Sequence, residues 1–423
     1  MNICKKMLPV AFASVLVAGP LHADTSVGAY VNYDGWSTRT IDSFNTDTAR
    51  QAATINVFSS FDYNWWGHLR YQSGNIVSRG ATPLITWMPY KRDRPDANIL
   101  EEIIDGKHDA YVYSWLDGFK YWLSTYPTHQ QPKIALRFAH EFNGTWYPWG
   151  NKPDAMKAAW RHLHSMFVRK GVSHAVDWVW NANNVNVDSH NDVTKYYPGD
   201  DVVDWVSIDG YNWGSNYSFS RWKSFDETFS PMYVKMVENY PGKPIMLAEV
   251  SSAEPHNLPN PAIGQDGNDA DALESKGLWI SDMMDRIKET YPAIKSIVWF
   301  NTNKELDWGL NLDGNTGLAA YNNAVSDNYF SGTLDFSVPS DSENQDATPD
   351  PAARPRSKGP PKHPKADMAL TAYAMSLAKK PKVTGRALAL LAKEAKGIRK
   401  MNKKALRQWR LESILPKEID ANR

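Results

Sequence analysis

Lys133-Ile-Ala-Leu-Arg-Phe-Ala-His-Glu141 is an apolar run that turns polar at its end, and Phe142-Asn-Gly-Thr-Trp-Tyr-Pro-Trp-Gly150 follows at once. A short, continuous apolar stretch bounded by turn residues reads as a strand buried on both faces. The pattern recurs in both directions along the chain. Before it come Val27–Tyr33, Thr54–Phe61 and Thr82–Pro89. After it come Ala175–Asn183, Val202–Asn212, Pro244–Val250 and Ser296–Asn303. That makes eight strand-like segments.

Between them lie helical patterns, including Asp154–Lys170, Phe225–Asn239 and Lys276–Thr290. Asp154 after Pro153 suits an N-cap region, and Gly171 suits a helix stop. Strands alternating with helices predict an α/β chain, a (β/α)8 TIM barrel. A doubly wound open sheet is the alternative. It would carry a Gly-rich phosphate loop after the first strand, and Tyr30–Trp36 has none.

The barrel reading places Glu141 at the end of the fourth strand and Glu249 at the end of the seventh, in Lys243-Pro-Ile-Met-Leu-Ala-Glu249. Barrel active sites gather at these carboxyl ends. Trp87, Asn183, Asp209, Tyr211, Asn212 and Trp299 fall at the same end. Two carboxyls among tryptophans on one barrel rim suit glycoside hydrolysis, one as acid/base and one as nucleophile or base. An apolar surrounding such as Phe142, Trp146 and Trp149 keeps a carboxylic acid protonated. Arg137, four residues before Glu141, shares its strand face and can hold the other carboxylate ionised.

The blander readings are structural. Glu141 and Glu249 can be strand-end ion pairs, His140 a satisfied core histidine, and most of the 18 tryptophans core. A barrel that binds carbohydrate without cleaving it would keep the tryptophans and need neither glutamate. No Gly-x-Ser-x-Gly elbow, His-Glu-x-x-His helix or phosphate loop is present. Asp266-Gly-Asn268-Asp269-Ala-Asp271 lacks the glycine of a calcium loop and reads as solvated. No metal and no cofactor are expected.

Of the 423 residues, 42% are hydrophobic, enough for one large core. Residues 1–23 read as a secretory signal: Lys5 and Lys6, an apolar run from Met7 to Pro20, and Ala23 at the cleavage point. A secreted or periplasmic protein is therefore expected. The only cysteine is Cys4, inside that segment, which excludes thiol chemistry and disulfides from the mature chain. No later stretch is apolar for long enough to suggest a membrane span.

The net charge of zero hides a division. Residues 354–423 hold 19 Lys+Arg against 5 Asp+Glu, a net of +14, and the rest of the chain carries −14. Residues 24–336 are assigned to the catalytic domain. Residues 337–366 form a Pro-rich linker, and residues 367–423 a basic, partly helical tail suited to acidic polymers or a cell surface. A monomer is expected.

The motifs resemble glycoside hydrolase family 26. Arg137-Phe-Ala-His140-Glu141-Phe-Asn-Gly-Thr-Trp146-Tyr-Pro-Trp149 is similar to its acid/base segment. Tyr197-Pro-Gly-Asp-Asp-Val-Val-Asp204-Trp-Val-Ser-Ile-Asp-Gly-Tyr211-Asn is similar to its sixth-strand segment, and Pro244-Ile-Met-Leu-Ala-Glu249 to its nucleophile strand. The likeness covers roughly residues 27–330. It departs from many mannanases at Phe138-Ala139 and Tyr147-Pro148.

The resemblance implies a retaining endo-β-glycanase working by double displacement, with Glu141 as acid/base and Glu249 as nucleophile. It implies that His140 and Tyr211 orient the nucleophile and that Trp299 floors the reacting subsite. β-1,4-mannan is the first substrate expected. Mixed-linkage β-glucan or a bacterial exopolysaccharide is the alternative.

Overall fold

The computed structural model describes residues 25–32, 35–62, 66–187, 191–218, 220–254, 275–310 and 317–334. The leader, the Asp266–Asp271 loop, the linker and the basic tail lie outside the described residues.

The elements run β1 Ser26–Val31, α1 Thr38–Asp47, β2 Thr54–Ser60, α2 Trp66–Val77, β3 Thr82–Met88, α3 Leu100–Ile104, α4 Asp109–Leu123 and β4 Ile134–Phe138. Then follow α5 Pro153–Lys170, β5 Val176–Asn183, β6 Trp205–Asn212, α6 Phe225–Asn239, β7 Ile245–Ser252, α7 Lys276–Glu289, β8 Ile294–Asn301 and α8 Gly317–Val325. All eight expected strands form. Each pairs in parallel with the next, and β8 closes on β1. The fold is the (β/α)8 barrel.

Strand ends moved where local chemistry intervened. β4 stops at Phe138, because Ala139 turns into the left-handed region at φ 48°. At α5 the cap position is Lys152 and Pro153 opens the helix, so Asp154 lies in the first turn and does not cap it. Proline suits that opening place, where its missing N–H would have had no partner. Gly171 ends α5 at φ 70°, which only glycine adopts freely. α6 starts on a capping box in which Ser224 and Glu227 exchange bonds. Its residues match the expected helix.

Side chains alternate across each strand, and the alternation sorts the barrel into layers. An apolar plug holds Leu84, Ala135, Val179, Met246, Ala248 and Val298, closed by Leu334. Two to four residues further along the strands the interior turns polar, with Thr86, Arg137, Asn181, Ser207 and Asp209 all buried. Above this layer sit Tyr30, Phe58 and Phe300. The outer faces bury aromatics against the helices: Trp87 stacks on Phe61 and Trp115, and Trp178 packs on Trp160. Each such burial stabilises by about 1.5–3 kcal/mol. Among the described residues no helix is long and apolar enough to cross a membrane.

Candidate active site

Glu141 lies three residues past β4. Two non-glycine residues with positive φ, Ala139 at 48° and Glu141 at 53°, bracket His140. Such backbone costs of order 1 kcal/mol or more and persists only where its surroundings enforce it. Here the Ala139 N–H donates to the Trp87 carbonyl at 3.1 Å, and the Glu141 N–H to the Asn181 carbonyl at 3.1 Å. The chain therefore stays bonded to both neighbouring strands while it kinks. Trp146 Nε1 donates to Glu141 Oε2 at 2.7 Å. Glu141 as a residue is 7% exposed, against 1% for Glu249.

Glu249 is aimed by a bulge. Ile208 pairs with Leu247, but Asp209 pairs with Glu249, so Ala248 is an extra residue in β7. Met246 and Ala248 both face the plug, and plain alternation would have sent Glu249 outward. The inserted residue turns it in. Its Oε1 accepts from Arg137 Nη2 at 2.6 Å, and its Oε2 accepts from the Tyr211 hydroxyl. Burial, then the Glu249 charge, holds the Tyr211 phenol well above its ordinary range, so it remains a donor.

Arg137 is fully buried and organises the polar layer. Its Nη1 donates to both oxygens of Asp209, at 2.9 and 3.1 Å, and its Nε and Nη2 donate to Thr86 Oγ1. The Thr86 hydroxyl donates onward to Asn56 Oδ1 at 2.8 Å. Asn181 Nδ2 donates to Asp209 Oδ1 at 2.8 Å. Burial pushes the Asp209 carboxyl up, and Arg137 opposes that shift. One guanidinium thus faces two buried carboxyls.

The structure departs from two expected roles, those of Trp299 and His140, and places Trp87, expected at the same rim, away from the mouth. Trp299 shares strand parity with Ile297 and points outward, its ring against Trp279 and Tyr321. It is fully buried in the helix layer and offers no face to a sugar. Trp87 is likewise fully buried outside the barrel, between Phe61 and Trp115. His140 bonds the Tyr147 hydroxyl through Nε2 at 2.9 Å and not Glu249. Burial, helped by the charges of Arg137 and Lys304, depresses its pKa well below the usual imidazole value, so it is neutral. Its Nδ1 has no hydrogen-bond partner among the described residues. Trp149 supports it from behind, donating to the His140 carbonyl at 2.8 Å and stacking on Tyr147.

Two site residues escaped the sequence reading. Phe300, one place after Trp299, is the aromatic that faces inward, stacked on Tyr30. Parity from Val298 would have found it. Lys304, three residues past β8, is mostly buried beside Phe300, and burial pushes its pKa down to about 8 against the pull of Glu305. No strand pattern reaches that loop. Among the described residues no three His, Cys, Asp or Glu side chains group to hold a metal ion.

Residues 80–251, which contain both glutamates, match the family model of glycosyl hydrolase family 26. Those residues belong to glycosyl hydrolase family 26. Endoglucanase H of Acetivibrio thermocellus is 33% identical over 340 residues, covering 76% of this chain and 33% of that protein. The chain thus spans about a third of the length of that curated relative. Mannan endo-1,4-beta-mannosidase A and B of Caldalkalibacillus mannanilyticus is 32% identical over 89 residues, 19% of this chain and 16% of that protein. The solved GH26C structure from Muricauda sp. superposes with a TM-score of 0.53 at 15% identity, covering 73% of this chain and 87% of that one. That likeness speaks for the barrel fold. The family 26 domain thus carries Glu141 after β4 and Glu249 on β7, at the same end of one barrel.

Proposed function

We propose that the family 26 domain is a retaining endo-β-glycanase. One observation carries the reading: Glu249 is gripped at both oxygens by Arg137 and Tyr211, whereas Glu141 takes Trp146 and lies nearer the mouth. A nucleophile must be a fixed carboxylate, and the guanidinium supplies the opposite charge that favours that form. An acid/base must exchange protons with the leaving oxygen and then with water, which suits the more exposed carboxyl.

In this mechanism the Glu249 carboxylate attacks the anomeric carbon while the Glu141 acid donates its proton to the departing glycosidic oxygen. A covalent glycosyl-enzyme forms at Glu249. Water then enters, Glu141 takes its proton, and the sugar is released with its original anomeric configuration. Tyr211 and Arg137 hold the carboxylate in place and receive it back when the ester breaks.

β-1,4-mannan follows from the motif resemblance and from the mannosidase match. A second substrate has its own support, since the match to an endoglucanase runs over 340 residues and the mannosidase match over 89. That difference favours a β-glucan, the class to which the mixed-linkage alternative belongs. A reducing-sugar assay over galactomannan, glucomannan, barley-type β-glucan, β-1,3-xylan and bacterial exopolysaccharides tests the reading. Release of reducing ends by the wild type, and none by Glu249→Ala, supports it. Equal activity in both overturns it, and tight binding without cleavage makes the barrel a carbohydrate-binding protein. Export belongs to the same proposal, because the polymers lie outside the cell and residues 1–23 carry a signal pattern.

A further inference from the structure

Residues 302–310, after β8, are pinned from several sides. The Trp308 N–H donates to the Thr302 carbonyl at 3.0 Å, and the Leu310 N–H to Asn301 Oδ1 at 2.8 Å. Asn303 and Asp307 form an antiparallel bridge. From α7, the buried Lys276 Nζ donates to the Asp307 and Gly309 carbonyls at 2.9 and 2.7 Å. From β7, Ser251 Oγ donates to the Trp308 carbonyl at 2.9 Å. A loop held this firmly presents its side chains in fixed positions, as a binding site requires.

It presents a charged pair beside the inward Phe300. Lys304 Nζ lies 3.2 Å from Glu305 Oε1, with the two side chains 12% and 18% exposed. The ammonium stands 6.0 Å from the centre of the inward Phe300 ring. Burial pushes its pKa down, and the charges of Glu305, then Glu249 and Glu141, pull it back up. Burying an ion pair costs several kcal/mol per charge and is a poor way to stabilise a loop. An ammonium offers donors and a carboxylate offers acceptors, side by side, which matches neighbouring hydroxyls on a sugar ring.

Aromatics extend the wall outward. The Trp308 ring is 5.0 Å from Tyr211, the partner of Glu249, and 5.0 Å from Trp213. Trp213 is 5.8 Å from Tyr217, which is 37% exposed and donates to the Glu305 carbonyl at 3.1 Å. The acid must stand beside the leaving oxygen, so the departing part of the glycan lies over Glu141 and Trp146. The opposite wall, built by the loops after β6 and β8, is left for the part that stays.

We propose that this wall is a sugar subsite on the non-leaving side, in which Lys304 and Glu305 bind hydroxyls of the unit next to the reacting sugar, and Tyr217 lies under the unit beyond. The proposal rests on the glycanase reading and adds to it the residues that set chain-length preference.

The test uses dinitrophenyl β-glucosides and β-mannosides carrying one, two and three sugars, which all sit on the non-leaving side. Lys304→Met and Glu305→Gln are expected to lower kcat/KM on two- and three-sugar substrates by about 7-fold or more beyond whatever loss each shows on the one-sugar substrate. Tyr217→Ala, at an exposed position, is expected to lower kcat/KM by about 5-fold on the three-sugar substrate alone. An equal loss at every length would mean that the pair acts through the reaction centre or the fold, and would overturn the proposal. So would no loss at any length. If the wild type cleaves none of these glycosides and releases no reducing ends from the polysaccharide panel, the glycanase reading fails and takes the subsite with it, a result distinct from uniform loss.

Discussion

Arg137 on β4 reaches Glu249 on β7 at 2.6 Å and, through its other terminal nitrogen, Asp209 on β6 at 2.9 Å. With its bonds to Thr86 on β3, a single cation thus ties four strands of the barrel and holds the Glu249 carboxyl in place.

Arg137→Met should therefore damage both stability and activity. Removing the guanidinium leaves two buried carboxyls facing each other, at a cost of about 3–5 kcal/mol. Chemical denaturation followed by fluorescence measures it. Arg137→Lys should recover only part of the loss, because an ammonium cannot span Asp209, Thr86 and Glu249 together. A loss under about 1 kcal/mol in Arg137→Met would show that the network is not structural.

Glu141→Ala should separate the two chemical steps. Dinitrophenyl glycosides need little protonation, so the first step survives on them and the glycosyl-enzyme accumulates without a base to activate water. Azide needs no base, and adding it should restore turnover and yield a glycosyl azide. A folded variant without azide rescue would remove the acid/base role from Glu141.

The barrel was legible because its strands are continuous apolar runs, which parallel sheets require on both faces. Glu141 and Glu249 were legible as carboxyls in such runs. What stayed hidden was direction. A left-handed turn at Ala139 and an inserted Ala248 decide where the two glutamates point, and neither alanine signals its backbone. Trp299 was misassigned for the complementary reason: a large aromatic at a strand end looks functional, yet β8 faces it into the helix layer and gives the inward place to Phe300. Lys304 and Glu305 lie in a loop whose position depends on bonds from α7 and β7, which sequence pattern does not carry.

That reassignment gives a direct comparison. Trp299→Phe should lower the melting temperature, since it deletes packing against Trp279 and Tyr321, while leaving KM within about 2-fold. Phe300→Ala should raise KM by about 5-fold or more, because it strips the inward wall of the site. Melting curves and steady-state kinetics on the same preparations decide between them. The opposite pattern would restore Trp299 as the sugar platform.

His140 gives stability a pH slope. Unfolded, an imidazole takes up a proton below about pH 6.5. Folded, burial and the charges of Arg137 and Lys304 keep it neutral there. The unfolded state therefore binds more protons, and stability falls as pH drops below about 6.5, by up to about 1.4 kcal/mol per unit. Above that pH both states hold the ring neutral and the slope vanishes. His140→Gln should flatten the stability curve between about pH 6.5 and 5 relative to the wild type. Parallel curves for the two proteins would mean that the buried ring accepts a proton in the fold.

The central claim is that Glu249 forms the covalent bond to sugar, and trapping that bond tests it most directly. A dinitrophenyl 2-deoxy-2-fluoro-β-glycoside slows both steps but keeps a good leaving group, so the intermediate outlives the assay. Intact mass followed by peptide mapping should show one added fluorosugar, carried by the peptide that contains Glu249. A label on any other residue, or no label together with a product of inverted anomeric configuration, would contradict the account.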